Sequence, residues 1–552
     1  MPPSHTCKLP PQSALPFALQ SLNASQLEHV LIPWEMNHGK GKVMPAQCHM
    51  RNFTGMTAAM VAELQATNVS EARQNAIGGS IPCIYGWSYD PGFRWTLVAE
   101  WDLVCGQDYV GHLMLTVTAV AGIVGTLISS ICQDIVGRKP VLFFAMAWTI
   151  FWNAVSVVMP SIMHYIAMVV ISRALVGLAL FQTPYIISLE MVGPSKHTYV
   201  INIMSIFYSI ALATAAGVAW LCQTWRQLII IPTGVCTSLM FLWFCVDESP
   251  RWLVSKGRYD EASLIVEKMA KVNGRPHLRS QITALLLEEK KRTSAANLLE
   301  VEQKAAATAN SCPENNQEPA VEFAGLDKEN FVTMWKHWNL AALALTLAFL
   351  WSANAMVYVG LSYNTQNFGG NVFVVFAAMS LIEIPAAIGN FLVDYLGRIW
   401  PAGLTMTLSG LALLAASATP LGLTWLVVLL AVVSKFSITA SFNILYQLGG
   451  ELFPTALRGS GIGFATMVAQ ILSIFTPMIV YSANVFRILP MLILGALSLI
   501  GGVLTFFLPE TLNRRLPETI PDTKKYDGIG LRSMRANLSC KTVKEQRKLG
   551  HQ

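Results

Sequence analysis

The chain has 552 residues, of which 53% are hydrophobic and 13% are charged, whereas soluble domains carry about 25% charged residues. Its mean hydropathy is +0.47, so a soluble enzyme or binding domain is excluded and a polytopic membrane protein is predicted. The net charge is only +6 and the basic residues lie between apolar stretches, which excludes nucleic acid as a partner.

Residues 1–109 form a polar segment that carries four cysteines and three N-x-S/T sequons. Disulfides and N-glycans form outside the cytosol, so this segment is predicted to be extracellular. A glycosylated, disulfide-stapled cover is favoured over a role in substrate capture or oligomer contact. Residues 1–30 lack the charged and apolar regions of a cleavable signal peptide. The predicted disulfide cysteines, whose pairing stays open, are Cys7, Cys48, Cys83 and Cys105, and the predicted glycosylation sites are Asn23, Asn52 and Asn68.

Eleven apolar stretches follow, each long enough to be a transmembrane helix. They lie at 110–133, 141–159, 164–187, 199–222, 227–246, 338–362, 371–393, 400–420, 423–446, 459–482 and 487–508, and the part at 400–446 allows another division. The long polar loop 247–337 contains two amphipathic helical patterns, Tyr259–Lys271 and Leu278–Arg292, and a low-complexity linker, Ala305–Pro319.

Basic residues concentrate in alternate loops, as at Arg138/Lys139, Arg398 and Arg514/Arg515, and the turns between these loops carry few charges. Lys and Arg mark the cytoplasmic side of a membrane protein, so these loops are predicted to be cytosolic. The predicted domains are an extracellular loop (1–109), a first transmembrane bundle (110–246), a cytoplasmic loop with amphipathic helices (247–337), a second transmembrane bundle (338–508) and a cytoplasmic tail (509–552).

Four features of the sequence recur at an almost constant offset. Asp134-Ile-Val-Gly137-Arg138 reappears as Asp394-Tyr-Leu-Gly397-Arg398, 260 residues later, and Arg173 within one span is echoed by Lys435, 262 residues later. The segment that begins at Glu190 is echoed from Glu451, 261 residues later, and the Glu248-Ser-Pro-Arg251 segment is echoed from Glu510, 262 residues later. Four matches in register indicate a tandem duplication.

The repeat unit contains six spans, because six lie between the two Asp-x-x-Gly-Arg copies. The second copy follows two spans of its own half, whereas the first copy follows only one. The predicted fold is therefore an all-α polytopic membrane protein with two six-helix bundles (6+6), about eleven spans and no first helix in the first half. Two parallel halves related about the membrane normal are the plan of the major facilitator transporters.

The repeated charges lie where spans meet the cytosol, and charges at such places can pair in one conformation and separate in another. We expect a conformational latch there, although turn geometry and topology-setting charge are the simpler alternative for any single copy. The predicted latch residues are Asp134, Gly137, Arg138, Lys139, Glu190, Arg251, Asp394, Gly397, Arg398, Glu451 and Arg458.

Ionisable residues deep within a span are costly and usually face the interior or a cavity. Arg173, Glu383 and Lys435 are the clear cases. Arg173 and Lys435 stand at equivalent places in the two halves, so each is expected to hold the helices of its own bundle together. Lys435 could instead attract a substrate carboxylate. Glu383 would attract an amine. Aromatic ring faces supply the remaining surface for a cation.

The chain resembles the organic cation, anion and carnitine transporters of the major facilitator superfamily over roughly 83–520. The similarity rests on Cys83-x-x-Gly-Trp-x-Tyr89, on Glu100-Trp-Asp-Leu-Val-Cys105 and on Asp247-Glu-Ser-Pro-Arg-Trp-Leu253. It continues through Tyr358-x-Gly360, Gly369-Gly-Asn371, Glu383-x-Pro385, Glu451-x-x-Pro-Thr455 and Leu508-Pro-Glu-Thr511. The resemblance implies a large glycosylated first extracellular loop, a central cavity and the transport of small organic solutes.

The chain also departs from the family pattern. Ser130 and Asn390 replace the glycines that usually begin the two Asp-x-x-Gly-Arg motifs, Ile399 replaces a basic residue, and His197 stands where an arginine is usual. Gln470 occupies a position that resembles an aspartate in classical cation carriers and an arginine in many anion carriers, so the usual sign of substrate charge is missing. The cavity residues that this comparison and the buried charges predict are Arg173, Tyr358, Tyr363, Glu383, Lys435, Phe442, Tyr446 and Gln470.

We predict a multi-pass plasma-membrane carrier that moves small organic cations or zwitterions, such as carnitine-like compounds and biogenic amines or their conjugates, by alternating access. If the protein is a transporter, the alternative substrate is an organic anion. If it is not a transporter, the alternative is a non-transporting receptor or an inactive truncated variant. The absence of P-loop, H-E-x-x-H and G-x-S-x-G patterns argues against an ATP-driven pump or an enzyme. We expect no cofactor, no metal and no catalytic residue. The expected partners are a small organic solute and the lipid bilayer, with a coupling ion (Na+ or H+) and homo-oligomerisation left open.

Overall fold

The computed structural model describes most of the chain. The described residues are 5–37, 42–65, 79–89, 96–177, 179–193, 196–275, 284, 288, 331–390, 393–420, 422–453 and 457–512. The predicted helix Leu278–Arg292 lies almost entirely outside them, and the linker Ala305–Pro319 and the tail from 513 lie wholly outside. Asn68 and the side chains of Asp394 and Arg458 also lie outside the described residues.

The N-terminal segment is a small unit built from short strands and helices. Three antiparallel pairs join β1 to β6, β2 to β3 and β4 to β5. The strands are β1 (His5–Cys7), β2 (Trp34–Asn37), β3 (Lys42–Pro45), β4 (His49–Arg51), β5 (Ser80–Pro82) and β6 (Trp87–Tyr89), and the helices are α1 (Phe17–Gln20), α2 (Ala24–Leu31), α3 (Ala58–Gln65) and α4 (Leu97–Glu100).

Two disulfides and a buried arginine hold this segment together. Cys7 pairs with Cys83 and Cys48 with Cys105, which joins the ends of the segment to its middle. Leu19, Leu31, Met50 and Leu64 form part of its own apolar core. Arg51 is 3% exposed and donates through Nη1 to the Val30 carbonyl at 2.6 Å, so it satisfies the end of α2. Burial lowers the pKa of the Arg51 guanidinium.

The membrane part contains ten helices, among the described residues, that are long and apolar enough to span a bilayer, and a shorter apolar helix, Leu489–Thr505. Together they match the eleven predicted spans. The five spans of the first half are α5 (Tyr109–Val136), α6 (Arg138–Val157), α7 (Ile162–Val176) together with α8 (Ala179–Glu190), α9 (His197–Leu221) and α10 (Trp225–Leu239). Helices α11 (Pro250–Ser255) and α12 (Tyr259–Val272) follow. Helix α12 corresponds to the predicted pattern Tyr259–Lys271.

The second half begins with α13 (Phe331–Lys336) and continues through the remaining helices. These are α14 (Trp338–Tyr363), α15 (Val372–Leu381), α16 (Glu383–Gly389), α17 (Val393–Leu396), α18 (Ile399–Ala418), α19 (Thr424–Leu452), α20 (Arg458–Ser473), α21 (Thr476–Tyr481) and α22 (Leu489–Thr505). Two predicted spans of this half are interrupted, at Ile382 and at Ile474–Phe475, and in the first half α7 ends at Val176 within the predicted span 164–187. Pro385 and Pro477 follow the breaks of the second half closely, and proline cannot donate the backbone hydrogen bond that a continuous helix needs.

The two halves differ in how well their spans are buried. Helix α14 is the most buried span and packs against α19, α20 and α22 of its own half. Among the described residues the first half has no helix equivalent to α14, and none of the apolar window of the span Trp225–Phe244 is buried. Among the described residues the spans therefore divide into five in the first half and six in the second, which agrees with the predicted 6+6 fold with one span fewer in the first half.

The halves meet along two seams. Helix α9 packs against α15 and α16, and α5 packs against α21. At the second seam, Asp108 accepts hydrogen bonds from the Tyr481 hydroxyl at 3.0 Å and from Asn484 Nδ2 at 3.3 Å. We call the end of the bundle that carries these contacts and the N-terminal segment the segment side, and the opposite end the latch side.

A charged clamp fastens the N-terminal segment to the first half. Glu100, at the end of α4, accepts from Arg226 Nη2 at 2.5 Å and Nη1 at 2.7 Å. Trp225 Nε1 donates to the same carboxylate at 2.5 Å. Trp101, Tyr165 and Trp225 pack their rings together beside it. Bidentate pairs of this kind fix orientation as well as distance.

Candidate functional site

A buried ion pair lies at the centre of the second half. Lys435 of α19 and Glu383, the first residue of α16, are 2% and 3% exposed. Lys435 Nζ lies 3.2 Å from Glu383 Oε1. Each charge would be costly if left alone within a membrane span, so the two residues stabilise each other only as a pair.

Each member of the pair has further partners. Lys435 Nζ donates to the Tyr358 carbonyl oxygen at 3.2 Å and to Ser362 Oγ at 3.0 Å, both on α14. It also lies 3.2 Å from the centroid of the Tyr358 ring. Glu383 Oε2 accepts from the Ser209 hydroxyl of α9 at 3.3 Å. Because α9 belongs to the first half, Glu383 lies on the surface where the halves meet.

Aromatic side chains surround this pair. Tyr358 stacks on Phe442 with ring centroids 6.3 Å apart, and Phe442 meets Tyr446 edge-on at 5.0 Å. Tyr208, from the first half, and Glu383 both lie close enough to the Tyr358 side chain to interact with it electrostatically. Tyr208 packs edge-on against Phe181 at 5.5 Å. Ring faces beside a carboxylate form a surface that attracts an ammonium group.

The polar contact between the halves continues two helical turns further along. Asn390 Nδ2 donates to Asn202 Oδ1 at 3.3 Å, and both amides are buried. Asn202 and Ser209 are separated by seven residues on α9, as are Glu383 and Asn390 on the partner helix, so the two contacts lie on one face of each helix. Asn390 is thus a contact residue, at a position where the family pattern has glycine.

The remaining predicted cavity residues lie further from the ion pair. Arg173 of α7 is exposed and lies close enough to Tyr363 of the second half to interact with it electrostatically. Gln470 of α20 is half-buried. The structure therefore brings Glu383, Lys435, Tyr358, Phe442 and Tyr446 together, with Tyr208 and Ser209 as additional members. Tyr208 and Ser209 gave no charge or motif signal in the sequence.

The predicted latch of the first half is a connected network. Arg138 pairs with Asp134 at 3.1 Å and with Glu190 at 3.3 Å. Glu248 accepts from the backbone N–H groups of Arg138 and Lys139, each at 3.1 Å. These N–H groups begin α6 and have no partner within the helix, so Glu248 caps it.

The second half repeats this arrangement. Arg398 pairs with Glu451 at 3.3 Å. Glu510 accepts from the backbone N–H of Arg398 at 2.8 Å and of Ile399 at 3.0 Å, at the start of α18. The Thr511 hydroxyl donates to Glu451 at 2.5 Å.

The glycine of each motif is explained by these caps. Gly137 and Gly397 have φ of +118° and +94°, and a Cβ on either would approach the carboxylate of Glu248 or Glu510. Glu248 and Glu510 were not among the predicted latch residues, although the 262-residue offset of their segments already paired them. Lys139 and Arg251 make other contacts: Lys139 Nζ lies over the Trp243 ring at 4.7 Å, and Arg251 donates to the Val192 carbonyl at 3.1 Å.

Two of the three predicted glycosylation sites lie within the described residues of the N-terminal segment. Asn23 is exposed and precedes α2, and Asn52 is partly exposed next to β4. His5 lies near Cys48 and Cys105, the one grouping of metal-ligand residue types in the described part of the chain. Both cysteines are joined in a disulfide, so their thiolates cannot coordinate a metal.

Comparison with known proteins defines the family. The model of the Major Facilitator Superfamily matches residues 100–477. An organic cation transporter protein of Drosophila melanogaster is 33% identical over 435 residues, 78% of this chain and 74% of the relative. A beta-alanine transporter of the same species is 30% identical over 447 residues, 80% of this chain and 69% of the relative. The organic cation/carnitine transporter 2 of Homo sapiens is 26% identical over 535 residues, 96% of this chain and 87% of the relative.

Solved structures support the same fold. The xylose transporter XylE from E. coli in its inward open conformation superposes with a TM-score of 0.51 at 16% identity, covering 74% of this chain and 88% of that chain. The chain therefore belongs to the Major Facilitator Superfamily of membrane transporters and, within it, to the organic cation/carnitine transporters of solute carrier family 22. This confirms the predicted fold class and the predicted family, and the protein is a major facilitator transporter.

Proposed function

We propose that the protein carries small organic amines, cations or zwitterions, across the plasma membrane by alternating access. The observation that carries this proposal is the position of Glu383, a buried carboxylate on the surface between the halves. Carboxylate and ring faces together suit an ammonium group. Relatives that transport organic cations, beta-alanine and carnitine support the same substrate class.

Transport proceeds by rocking of one half against the other around this site. Residues 1–109 lie outside the cell in this proposal and the C-terminus lies in the cytosol. No covalent chemistry takes part. An organic anion as sole substrate is disfavoured, because the carboxylate of Glu383 would repel it and the positive charge of Lys435 is already neutralised.

The test is uptake by cells whose surface expression has been verified by biotinylation. We expect saturable uptake of labelled tetraethylammonium or labelled β-alanine and none of a labelled benzoate derivative. Glu383→Gln should lower uptake by about tenfold or more, because one ionic contact to the substrate is lost. Glu261→Gln is the matched control, since Glu261 lies on α12 and pairs with Arg258 in an exposed ion pair.

Saturable uptake of the benzoate alone would contradict the proposal. Surface expression of the protein without uptake of any probe would also contradict it and would favour a non-transporting receptor.

A further inference from the structure

Lys435 and Glu383 have complementary sets of second partners. Lys435 is held from one side by the Tyr358 carbonyl, the Tyr358 ring and Ser362 of α14. Glu383 is held from another side by Ser209 of α9. Each charge would therefore keep polar contacts if the 3.2 Å contact between the two residues opened.

We propose that this ion pair is a split receptor for a zwitterion: the substrate's ammonium binds Glu383, its carboxylate binds Lys435, and the two side chains pair with each other when no substrate is bound. The inference rests on the proposed function and narrows its substrate class to short molecules that carry both charges, such as β-amino acids and betaines.

Charge balance supports a zwitterion over a simple cation. The pair is neutral when it is closed, and a zwitterion between its members leaves the site neutral. A simple cation would instead place a second positive charge beside Lys435, within a span where an uncompensated charge is costly. Gln470 supplies no charge to offset it.

The position of the pair gives a substrate a way in. Glu383 contacts Ser209 across the seam between the halves, and Tyr208 beside it is 39% exposed. Rocking of the halves about this seam separates α9 from α16 and uncovers the Glu383 side of the pair. Lys435 stays anchored to α14, so the Glu383 side chain is the one that moves away to admit the substrate between the two charges.

The experiment uses three probes that share one skeleton: β-alanine, its methyl ester and its N-acetyl derivative. These carry both charges, only the ammonium and only the carboxylate. In the wild-type protein we expect β-alanine to be taken up with kcat/KM about tenfold or more above that of either derivative, since each derivative leaves one buried charge unpaired.

Two substitutions of Lys435 should have different effects on this ranking. Lys435→Met should abolish the preference for β-alanine over its methyl ester, because the carboxylate loses its partner while Glu383 still binds the amine. Lys435→Arg should keep the preference, because the positive charge stays. Lys268→Met, which removes an exposed lysine paired with Asp247, is the matched control and should leave the ranking unchanged.

The outcomes separate the inference from the proposed function. Equal uptake of β-alanine and its ester by the wild type, or an unchanged ranking in Lys435→Met at normal surface expression, would overturn the split receptor and leave an amine carrier. Absence of saturable uptake of every amine by the wild type would overturn the proposed function itself. If Lys435→Met does not reach the surface, the Glu383→Lys/Lys435→Glu double variant tests the same point, because it preserves the pair and should preserve the preference for the zwitterion.

Discussion

Tyr358 meets the buried ion pair with two parts of the residue, its ring face and its backbone carbonyl. The carbonyl contact does not depend on the side chain, whereas the ring contact does. Removal of the phenol oxygen should also cost the interaction with Tyr208 and Glu383. The ring face lies against the Lys435 ammonium, so its removal should weaken the site more than removal of the hydroxyl.

We predict that Tyr358→Phe raises the KM for an amine substrate by about threefold or less, because the ring face is retained. Tyr358→Leu should raise KM by about tenfold, since a cation–π contact contributes about 0.5–2 kcal/mol. Concentration-dependent uptake, normalised to surface expression, measures both values. Equal effects of the two substitutions would show that the hydroxyl, and not the ring face, matters.

Arg173 and Lys435 stand at corresponding positions of the two halves, yet their surroundings differ. Lys435 is anchored to α14 and paired with Glu383. Arg173 is exposed, and the described residues of the first half contain no counterpart of α14 to which it could be anchored. The same position of the repeat is thus occupied by a buried lysine paired with Glu383 in the second half and by an exposed arginine near Tyr363 in the first half.

At the scale of elements, the two Asp-x-x-Gly-Arg motifs are helix starts whose caps come from far along the chain. Glu248 caps α6 and Glu510 caps α18, and Arg138 and Arg398 connect these starts to Glu190 and Glu451. The first network joins α5, α6 and α8, and the second joins α18, α19 and the segment that follows α22. Each network therefore makes the latch side of its half a rigid unit, which is what rocking of whole halves requires.

We predict that Glu510→Ala lowers the free energy of unfolding by about 1–3 kcal/mol, because it leaves the buried N–H groups of Arg398 and Ile399 without partners. A fall in the melting temperature of the purified protein in detergent measures the effect, and Glu248→Ala should behave in the same way. Glu261→Ala, on the exposed helix α12, is the control. An unchanged melting temperature in Glu510→Ala would contradict the capping role.

At the scale of the molecule, the two kinds of contact on the segment side have different consequences. The Glu100–Arg226 clamp lies between the N-terminal segment and the first half, so it is kept when the halves move. The contacts of Asp108 with Tyr481 and Asn484 join the first half to the second, so they must break when the segment side opens.

We predict that a covalent link between positions 108 and 484 stops transport. The variant Asp108→Cys/Asn484→Cys, in a background that retains only the four disulfide cysteines, should lose more than about nine-tenths of its uptake with a short bifunctional thiol reagent, because the two halves can no longer separate on the segment side. A reagent with a cleavable disulfide should allow recovery on reduction. The single variants, treated in the same way, are the controls, and full uptake by the linked protein would rule out opening at this seam.

Much of the architecture followed from the sequence alone. Apolar stretches of membrane-spanning length predicted eleven spans, because a helix needs about 20 apolar residues to cross a bilayer. The constant offset between the repeated motifs predicted the two halves. The interruptions at Ile382 and Ile474–Phe475 were missed, although Pro385 and Pro477 are visible in the sequence, because many proline-containing helices stay continuous, as at Pro184 and Pro232.

Composition, the length of the apolar stretches and the repeated motifs therefore determined which residues enter the membrane, how the chain repeats and which charged residues lie within its spans. Only the tertiary structure decided how those charges are paired. Two helices lie between Lys435 and Glu383 in the sequence. The sequence alone does not specify which charged or polar residue each of them pairs with. The packing of α14, α16 and α19 brings the two within 3.2 Å and places Ser209 of the other half against them. Such contacts depend on helix rotation and on distances of a few ångström, which hydrophobic patterning does not specify.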